Sequence, residues 1–194
     1  YSVYPAGILV DPVTGRRIVN EWADRRTRSD AIFETGHICV GIVDADGAKI
    51  AAESLEHSLN RGYVKAFPTL SELSKAYNMP SGELESTLRK YNHAINAGQP
   101  DTFGKPLANG AKPVTTPPFY AIRLWPKVHY TPGGLGINKK AQVIDLRRRP
   151  IPHLFAAGEV CGGIHGASRL GSCALTECIV FGRIAGQQAA ATHI

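Results

Sequence analysis

Gly158-Glu159-Val160-Cys161-Gly162-Gly163-Ile164-His165-Gly166-Ala167-Ser168-Arg169-Leu170-Gly171-Ser172-Cys173-Ala174-Leu175 comes directly after the apolar run Leu154-Phe155-Ala156-Ala157. The short run has the look of a buried parallel strand. Residues 158–175 read as an acceptor carboxylate at a strand end, a loop able to approach a ligand closely, and the start of a helix. Glycines permit the approach because they lack Cβ and tolerate positive φ. A helix start offers free N–H groups and roughly half a positive charge. Such an end suits a phosphate, a carboxylate or another group where negative charge gathers. On spacing alone, an ordinary Gly-rich β–α turn fits equally well.

Outward from this stretch, the pattern is mixed. Downstream, a helix is expected from about Ala174 to Ala191, carrying Leu175, Cys178, Ile179 and Ile184. Upstream lie an expected strand at Gln142 to Leu146, a tight turn at Tyr130-Thr131-Pro132-Gly133-Gly134, and a strand from Phe119 to Val128. Residues 98–118 read as loop. Before them, Leu84, Leu88, Tyr91 and Ile95 mark a helix that starts near Ser81 and stops at Gly98. Thr69-Leu70-Ser71-Glu72 after Pro68 has the pattern of a capping box, with Leu70, Leu73 and Tyr77 on one apolar face. Both stripes read as core. At the N-terminal end, Ile8 to Val10 and Arg16 to Asn20 form a hairpin about the turn Asp11-Pro12-Val13-Thr14-Gly15. Ser29 to Thr35 gives one or two helical turns ended by Gly36, and His37 to Asp44 a strand. There is no internal repeat and no low-complexity segment.

With 194 residues and 43% hydrophobic side chains, the chain can bury a substantial core in one domain or two small ones. No run of about 18 apolar residues is present, so no membrane-spanning helix is expected. No leader pattern and no initiator Met stand at the start, as in a fragment or processed product. The four cysteines, Cys39, Cys161, Cys173 and Cys178, lack zinc-ribbon or haem-attachment spacing and read as small buried hydrophobes. The net charge is +6, from 22 Lys+Arg against 16 Asp+Glu. Its basic clusters, Arg16-Arg17, Arg25-Arg26-Arg28 and Arg147-Arg148-Arg149, are not interleaved with aromatics and accompany no nucleic-acid-binding motif. They read as solvated faces, or as a cleft for a small anion.

The stretch from Gly158 to Leu175 resembles the C-terminal flavin-binding signature of the fumarate reductase/succinate dehydrogenase flavoproteins, nearest their soluble flavocytochrome-c fumarate reductase and urocanate reductase branch. Members of that family show A-G-E at the strand end and then G-G-x-H-G-A-N-R-L-G-x-N-A-L. This chain departs at Ser168 and Cys173, where many relatives have Asn. Val128-His129-Tyr130-Thr131-Pro132-Gly133-Gly134 is similar to the family's H-x-T-M-G-G turn, with Pro132 in place of Met. Gly15-Arg16-Arg17-Ile18-Val19-Asn20-Glu21, followed by Arg25, resembles its G-x-R-F-x-N-E-x-x-x-R segment.

The resemblance covers essentially the whole chain and implies an α+β fold. Residues 1–128 would be a capping domain of mixed helices and short strands. Residues 129–194 would be the C-terminal piece of an α/β, glutathione-reductase-like FAD-binding domain. FAD is the implied cofactor, with Gly158, Glu159, His165, Ser172, Ala174 and Leu175 against it; the helix start would meet the N1–C2=O edge of the flavin. The implied proton donor is Arg25. An arginine does not normally deprotonate, yet hydride transfer from flavin N5 to one alkene carbon leaves carbanion character on its neighbour, which a close cation can stabilise and then protonate. His129 and Arg169 match the residues that hold a substrate carboxylate. On residues alone, Arg25 reads as a surface arginine and His129 as a core histidine.

No G-x-G-x-x-G occurs, so the pyrophosphate-cradling unit would lie in a missing N-terminal portion of the FAD domain. The family's relay arginine would align near Val3–Pro5, where Tyr4 is the candidate substitute. The implied activity is reduction of an α,β-unsaturated carboxylate such as fumarate or urocanate, and Trp125 and Tyr130 make an aromatic acrylate compatible. Electrons would come from a haem or FMN module outside the chain, and the compartment stays open between periplasm and cytoplasm. Two rival expectations stand: a non-catalytic fragment acting as an interaction module, and a flavin-dependent oxidase or dehydrogenase of the same superfamily.

Overall fold

Asp11 makes the first turn. Its carboxylate accepts the Val13 N–H at 2.8 Å and the Thr14 hydroxyl at 2.9 Å. Gly15 closes the turn at φ +68°, where a Cβ would lie 2.8 Å from the Cβ of Glu83. The strands β1 (Ile8–Asp11) and β2 (Arg16–Arg17) on either side of it pair antiparallel. The second arm of the expected hairpin is thus only two residues long. The computed structural model describes residues 3–107 and 110–192 and divides into two compact units, Tyr1–Pro126 and Lys127–Ile194.

The first unit is built on an antiparallel sheet. With β3 (Cys39–Val43), β4 (Val64–Phe67) and β5 (Phe119–Leu124), its strand order is β2-β1-β3-β5-β4. Period-two alternation sorts the side chains to two faces. Ile8, Val10, Val40 and Ile42 meet Leu73, Leu84, Leu88 and Tyr91 on one face. Leu9 and Cys39 meet Val19 and Ile32 on the other. The helices on the first face are α5 (Leu70–Ala76) and α6 (Glu83–Asn96), the two apolar stripes of the sequence. Thr69 caps α5 by accepting the Glu72 N–H at 3.1 Å, while its hydroxyl donates to the Glu72 carboxylate at 3.2 Å. That carboxylate therefore meets the Thr69 side chain, a variant of the reciprocal box.

Ile32 comes from α2 (Arg25–Thr35), which begins four residues before the expected start at Ser29. The cause is Asp24, whose carboxylate accepts the amides of Arg26 and Thr27 and so starts the helix at Arg25. Gly36 ends it in the left-handed region, as expected. Residues 3–67 also hold α1 (Val3–Ala6), α3 (Ala45–Ala48), α4 (Ala52–Asn60) and β4, which no sequence pattern announces. Strand β5 stops at Leu124, short of the expected Val128.

A buried ionic network joins the loop after β2 to residues 101–105. Arg17 donates to both Glu21 oxygens, at 2.9 and 2.7 Å, and to Asp101. Glu21 also accepts the Leu9 N–H at 2.8 Å and faces Lys105 Nζ at 3.4 Å. Lys105 in turn donates to the Gly7 carbonyl, and Tyr91 lies beside both cations, with ring centroid distances of 4.9 and 5.3 Å. Two cations and two anions balance, so none of these buried charges is unpaired. Arg17 is therefore no solvated basic residue, which corrects the sequence reading of that cluster.

The second unit contains the antiparallel hairpin of β6 (Gln142–Ile144) and β7 (Pro150–Phe155), and after it α7 (Cys173–Ala191). The expected buried parallel strand at Leu154 is thus antiparallel to β6, and Leu154 is 44% exposed. An apolar run encodes the need for a cover but not the direction of its partner. Helix α7 has the expected extent, yet Leu175 and Ile179 on it are 69% and 63% exposed. Cys178 is exposed as well, whereas Cys39 and Cys161 are buried; all four thiols are free.

Two measurements probe the first unit. Replacing Arg17 by Met leaves Glu21 and Asp101 short of their bidentate partner, and should cost about 3–5 kcal/mol in a urea unfolding series. At the first turn, burial pushes the Asp11 carboxyl upward, but hydrogen bonds from His37, the Val13 amide and Thr14 outweigh it and hold the group below its ordinary value. A depressed folded value means that this stabilisation is complete above about pH 4 and is lost as the pH falls through the folded value. The acid limb of Tm against pH should therefore be shallower for Asp11→Asn.

Candidate functional site

Two backbone segments of the second unit approach closely. Leu135 donates its N–H to the Val160 carbonyl at 2.8 Å, and Gly162 to the Leu135 carbonyl at 3.0 Å, a short parallel bridge. Glycine is required on both sides: a Cβ on Gly134 would fall 2.2 Å from Val160 O, and one on Gly162 would fall 2.5 Å from Gly134 N. This contact fixes the start of the Gly-rich loop against the turn that carries His129, Tyr130 and Thr131. The Glu159 carboxylate adds a tie by accepting the Thr131 N–H at 2.8 Å.

Below this loop is a polar cluster. Glu177, in the second turn of α7, is buried, and its Oε2 accepts the Tyr130 hydroxyl at 2.5 Å and bonds His165 Nε2 at 2.7 Å. The Tyr130 and His165 rings meet edge to face, 5.6 Å between centroids. The Arg169 guanidinium lies over the Tyr130 ring at 4.5 Å and gives Nη1 to the Leu170 carbonyl at 2.9 Å. Among the described residues no carboxylate pairs with Arg169, and its buried Nε has no hydrogen-bond partner. The hydrogen bond to Glu177, with burial and the nearby carboxylate charges added, pushes the Tyr130 phenol up to about 12. Burial likewise raises the Cys161 thiol, helped by the charge of Glu177.

Several residues singled out from the sequence meet at this cluster. His165 and Arg169 share Tyr130, and His129, the residue before Tyr130 in the chain, is exposed rather than in a core. Gly158 is buried at φ +82°, where a Cβ would touch Cys178 Sγ at 3.3 Å, and Glu159 is exposed at the loop entry. Ser172 sits at φ +66° before α7 and makes no side-chain cap; in the first turn the Cys173 and Leu175 amides donate to the Leu170 and Ser172 carbonyls, at 3.4 and 3.2 Å. In the other unit, Arg25 is the first residue of α2, exposed. There Tyr4 is stacked under Arg28, 3.8 Å from ring centroid to guanidinium, and Trp125 sits edge-on to Phe33 at 5.2 Å. The residue that sequence reasoning misses is Glu177. A signal for it exists, because Glu177 and Arg183 are the only charged residues in the 19 of α7.

Residues 3–175 match the model of the FAD binding domain. The chain belongs to that family. It is 38% identical over 202 residues to the acrylate reductase flavoprotein subunit of Shewanella woodyi, covering 96% of this chain and 38% of that protein. It is 39% identical to the urocanate reductase of Eggerthella lenta, over 91% of this chain and 30% of that one. Among solved structures, the open conformation of a flavocytochrome c3 fumarate reductase superposes with a TM-score of 0.72 at 35% identity, covering 98% of this chain and 33% of that one. The chain thus spans about a third of the length of these relatives. FAD is the family's cofactor, and the α+β fold agrees with these flavoenzyme neighbours.

The raised phenol gives a direct check on the cluster. Because the folded value exceeds the ordinary one near 10, the stabilisation is complete below about pH 10 and is lost as the pH rises through about 12. In an ultraviolet phenolate titration referenced to Tyr130→Phe, Glu177→Gln should bring the Tyr130 step back toward about 10.

Proposed function

We propose that this chain is part of an FAD-dependent reductase of an α,β-unsaturated carboxylate, supplying its substrate clamp and its last flavin-binding segment. The observation that carries the reading is Arg169: a guanidinium held over the Tyr130 ring, which itself meets His165 edge to face, with no carboxylate partner of its own among the described residues. A cation held this way suits a substrate carboxylate, which the planar fork can meet with parallel hydrogen bonds. The relatives, which reduce acrylate, urocanate and fumarate according to their names, support the same class.

The residues present fit the family's flavin. Ser172 makes no side-chain cap on the first turn of α7, where the Ala174 amide lies between the backbone-bonded Cys173 and Leu175, and the Gly158 and Gly163 backbone at φ +82° and +83° turns the loop without side chains in the way. In this reading Gly158, Ser172, Ala174 and Leu175 lie against the ring system, the exposed oxygen of Glu159 meets a ribose or ribitol hydroxyl, and His165 stands beside it. When bound, FAD supplies the hydride. His129 and Arg169 hold the carboxylate and so orient the double bond. Arg25 stabilises the negative charge that gathers on the second alkene carbon and then gives that carbon its proton. The placement of Arg25 agrees with a functional use, since three arginines (25, 26 and 28) crowd the positive end of α2, against the helix dipole. Residues 1–128 act as the capping domain and 129–194 as the FAD-domain segment.

The exposed Leu175, Ile179 and Val180 of α7, with Ile151 and Leu154 of β7, form the surface that the N-terminal portion of the FAD domain covers. Electrons reach the flavin from a haem or FMN donor module. No helix among the described residues is long and apolar enough to cross a membrane.

The test is turnover by the FAD-loaded full-length protein with reduced viologen and acrylate, fumarate or urocanate. Arg25→Ala should retain FAD and lose at least about a hundredfold in kcat on the acid that is reduced, the scale of a lost general acid. Retention of kcat within twofold would remove Arg25 as proton donor. A flavin-loaded protein that reduces none of the acids would overturn the substrate class in favour of an oxidase or dehydrogenase, and one that takes up no FAD would leave the interaction-module reading.

A further inference from the structure

Helix α7 is apolar along most of its length, with one carboxylate among its residues. Leu175, Ile179 and Val180 face outward, and its one buried residue is Glu177, 4% exposed. A carboxylate in such a place is costly unless its oxygens are hydrogen-bonded. Here a single oxygen, Oε2, serves both Tyr130 and His165, while the buried Oε1 has no partner. A carboxylate oxygen only accepts, so Tyr130 gives its hydroxyl proton and His165 presents N–H at Nε2. The bond to Glu177 thereby sets both the pose of the phenol ring and the hydrogen-bearing nitrogen of the imidazole.

The consequence falls on Arg169. Its guanidinium lies over the face of the Tyr130 ring, an attraction that uses no N–H donor. The ring therefore holds the guanidinium in place without engaging its donors, of which Nη1 bonds the Leu170 carbonyl. Any rotation of the phenol moves the surface over which the guanidinium sits. The loop that carries Arg169 is pinned from below by His165, four residues earlier, through the same carboxylate.

We infer that Glu177 is a positioning residue for the substrate carboxylate, acting on Arg169 through Tyr130 and His165. The inference rests on the proposed role of Arg169 as the carboxylate clamp. Glu177 touches no reacting atom; it pre-orients the cation, so it governs affinity for the acid and not the rate of proton or hydride transfer.

The test uses the FAD-loaded full-length protein carrying Glu177→Gln, Tyr130→Phe, or both. Two readouts are taken: KM and kcat for acrylate, and the dissociation constant of propanoate, its saturated counterpart, from flavin absorbance in the oxidised protein. Each single variant should raise KM and the propanoate constant roughly three- to tenfold with kcat within twofold, the scale of one lost hydrogen bond. The double variant should be no worse than the weaker-binding single one, because both changes break the same link. Multiplying effects, or singles that leave both constants unchanged, overturn the inference. Tyr130→Phe removes one oxygen atom and keeps the ring, so it carries the test even if Glu177→Gln fails to fold. Arg169→Ala separates the two levels. If it weakens propanoate at least about a hundredfold while the other variants do nothing, the positioning role alone fails; if it too does nothing, the clamp reading fails with it.

Discussion

The Arg17–Glu21 pair is the interaction on which the first unit depends. Glu21 accepts a sheet amide from Leu9 and both arms of Arg17, and Arg17 reaches on to Asp101. Strand β1, the loop after β2 and the distant residue Asp101 are thereby held by one buried carboxylate and one guanidinium. Such a pair contributes little over an apolar core of the same shape, because desolvation offsets the attraction, but breaking it from one side leaves a buried charge. Its value lies in geometry. Glu21 is four residues from Arg25, and Arg28 gives Nη1 to the Glu21 carbonyl at 3.4 Å, so the same node anchors the entry to α2.

The second unit solves a comparable problem with backbone and one acid. Gly134 and Gly162 bring two loops to hydrogen-bonding distance, where any side chain would collide. Glu177 then ties the turn to the loop through Tyr130 and His165. In each unit, then, a buried carboxylate ties loops near an arginine proposed to be functional: Glu21 lies four residues before Arg25, and Glu177 bonds the Tyr130 hydroxyl whose ring carries Arg169. The arginines themselves, 25 and 169, stand outside the ion pairs that these carboxylates make among the described residues. On the proposed reading, Arg169 is the cation that meets a substrate anion, so its direction has to come from contacts that leave its charge unpaired.

Much of the local structure is legible in the residues. The turn at Asp11–Gly15, the stop at Gly36, the cap at Thr69 and the stripe Leu84–Leu88–Tyr91 all reflect contacts within a few positions, and each stands where expected. The start of α2 departs from expectation because Asp24, a short acceptor side chain ahead of the apolar pattern, caps the helix earlier. The exposed, antiparallel β7 departs for a different reason, since apolarity does not specify strand direction. The polar node under the Gly-rich loop escapes a sequence reading because its members lie at 130, 165, 169 and 177, with no periodic spacing to join them.

From residues alone came the local requirements of dihedral angle, cap and charge, such as glycines where backbones must approach, and the class came from the resemblance of the Gly158–Leu175 stretch to a family signature. Only the tertiary structure decided that Arg17 is buried in a network while Arg169 rests on an aromatic ring, and that Glu177, the odd charge in an apolar helix, lies beneath that ring. The reason is that burial and pairing are properties of segments brought together from far along the chain. The charge of a side chain is written in its residue type, but its partner is chosen by the fold.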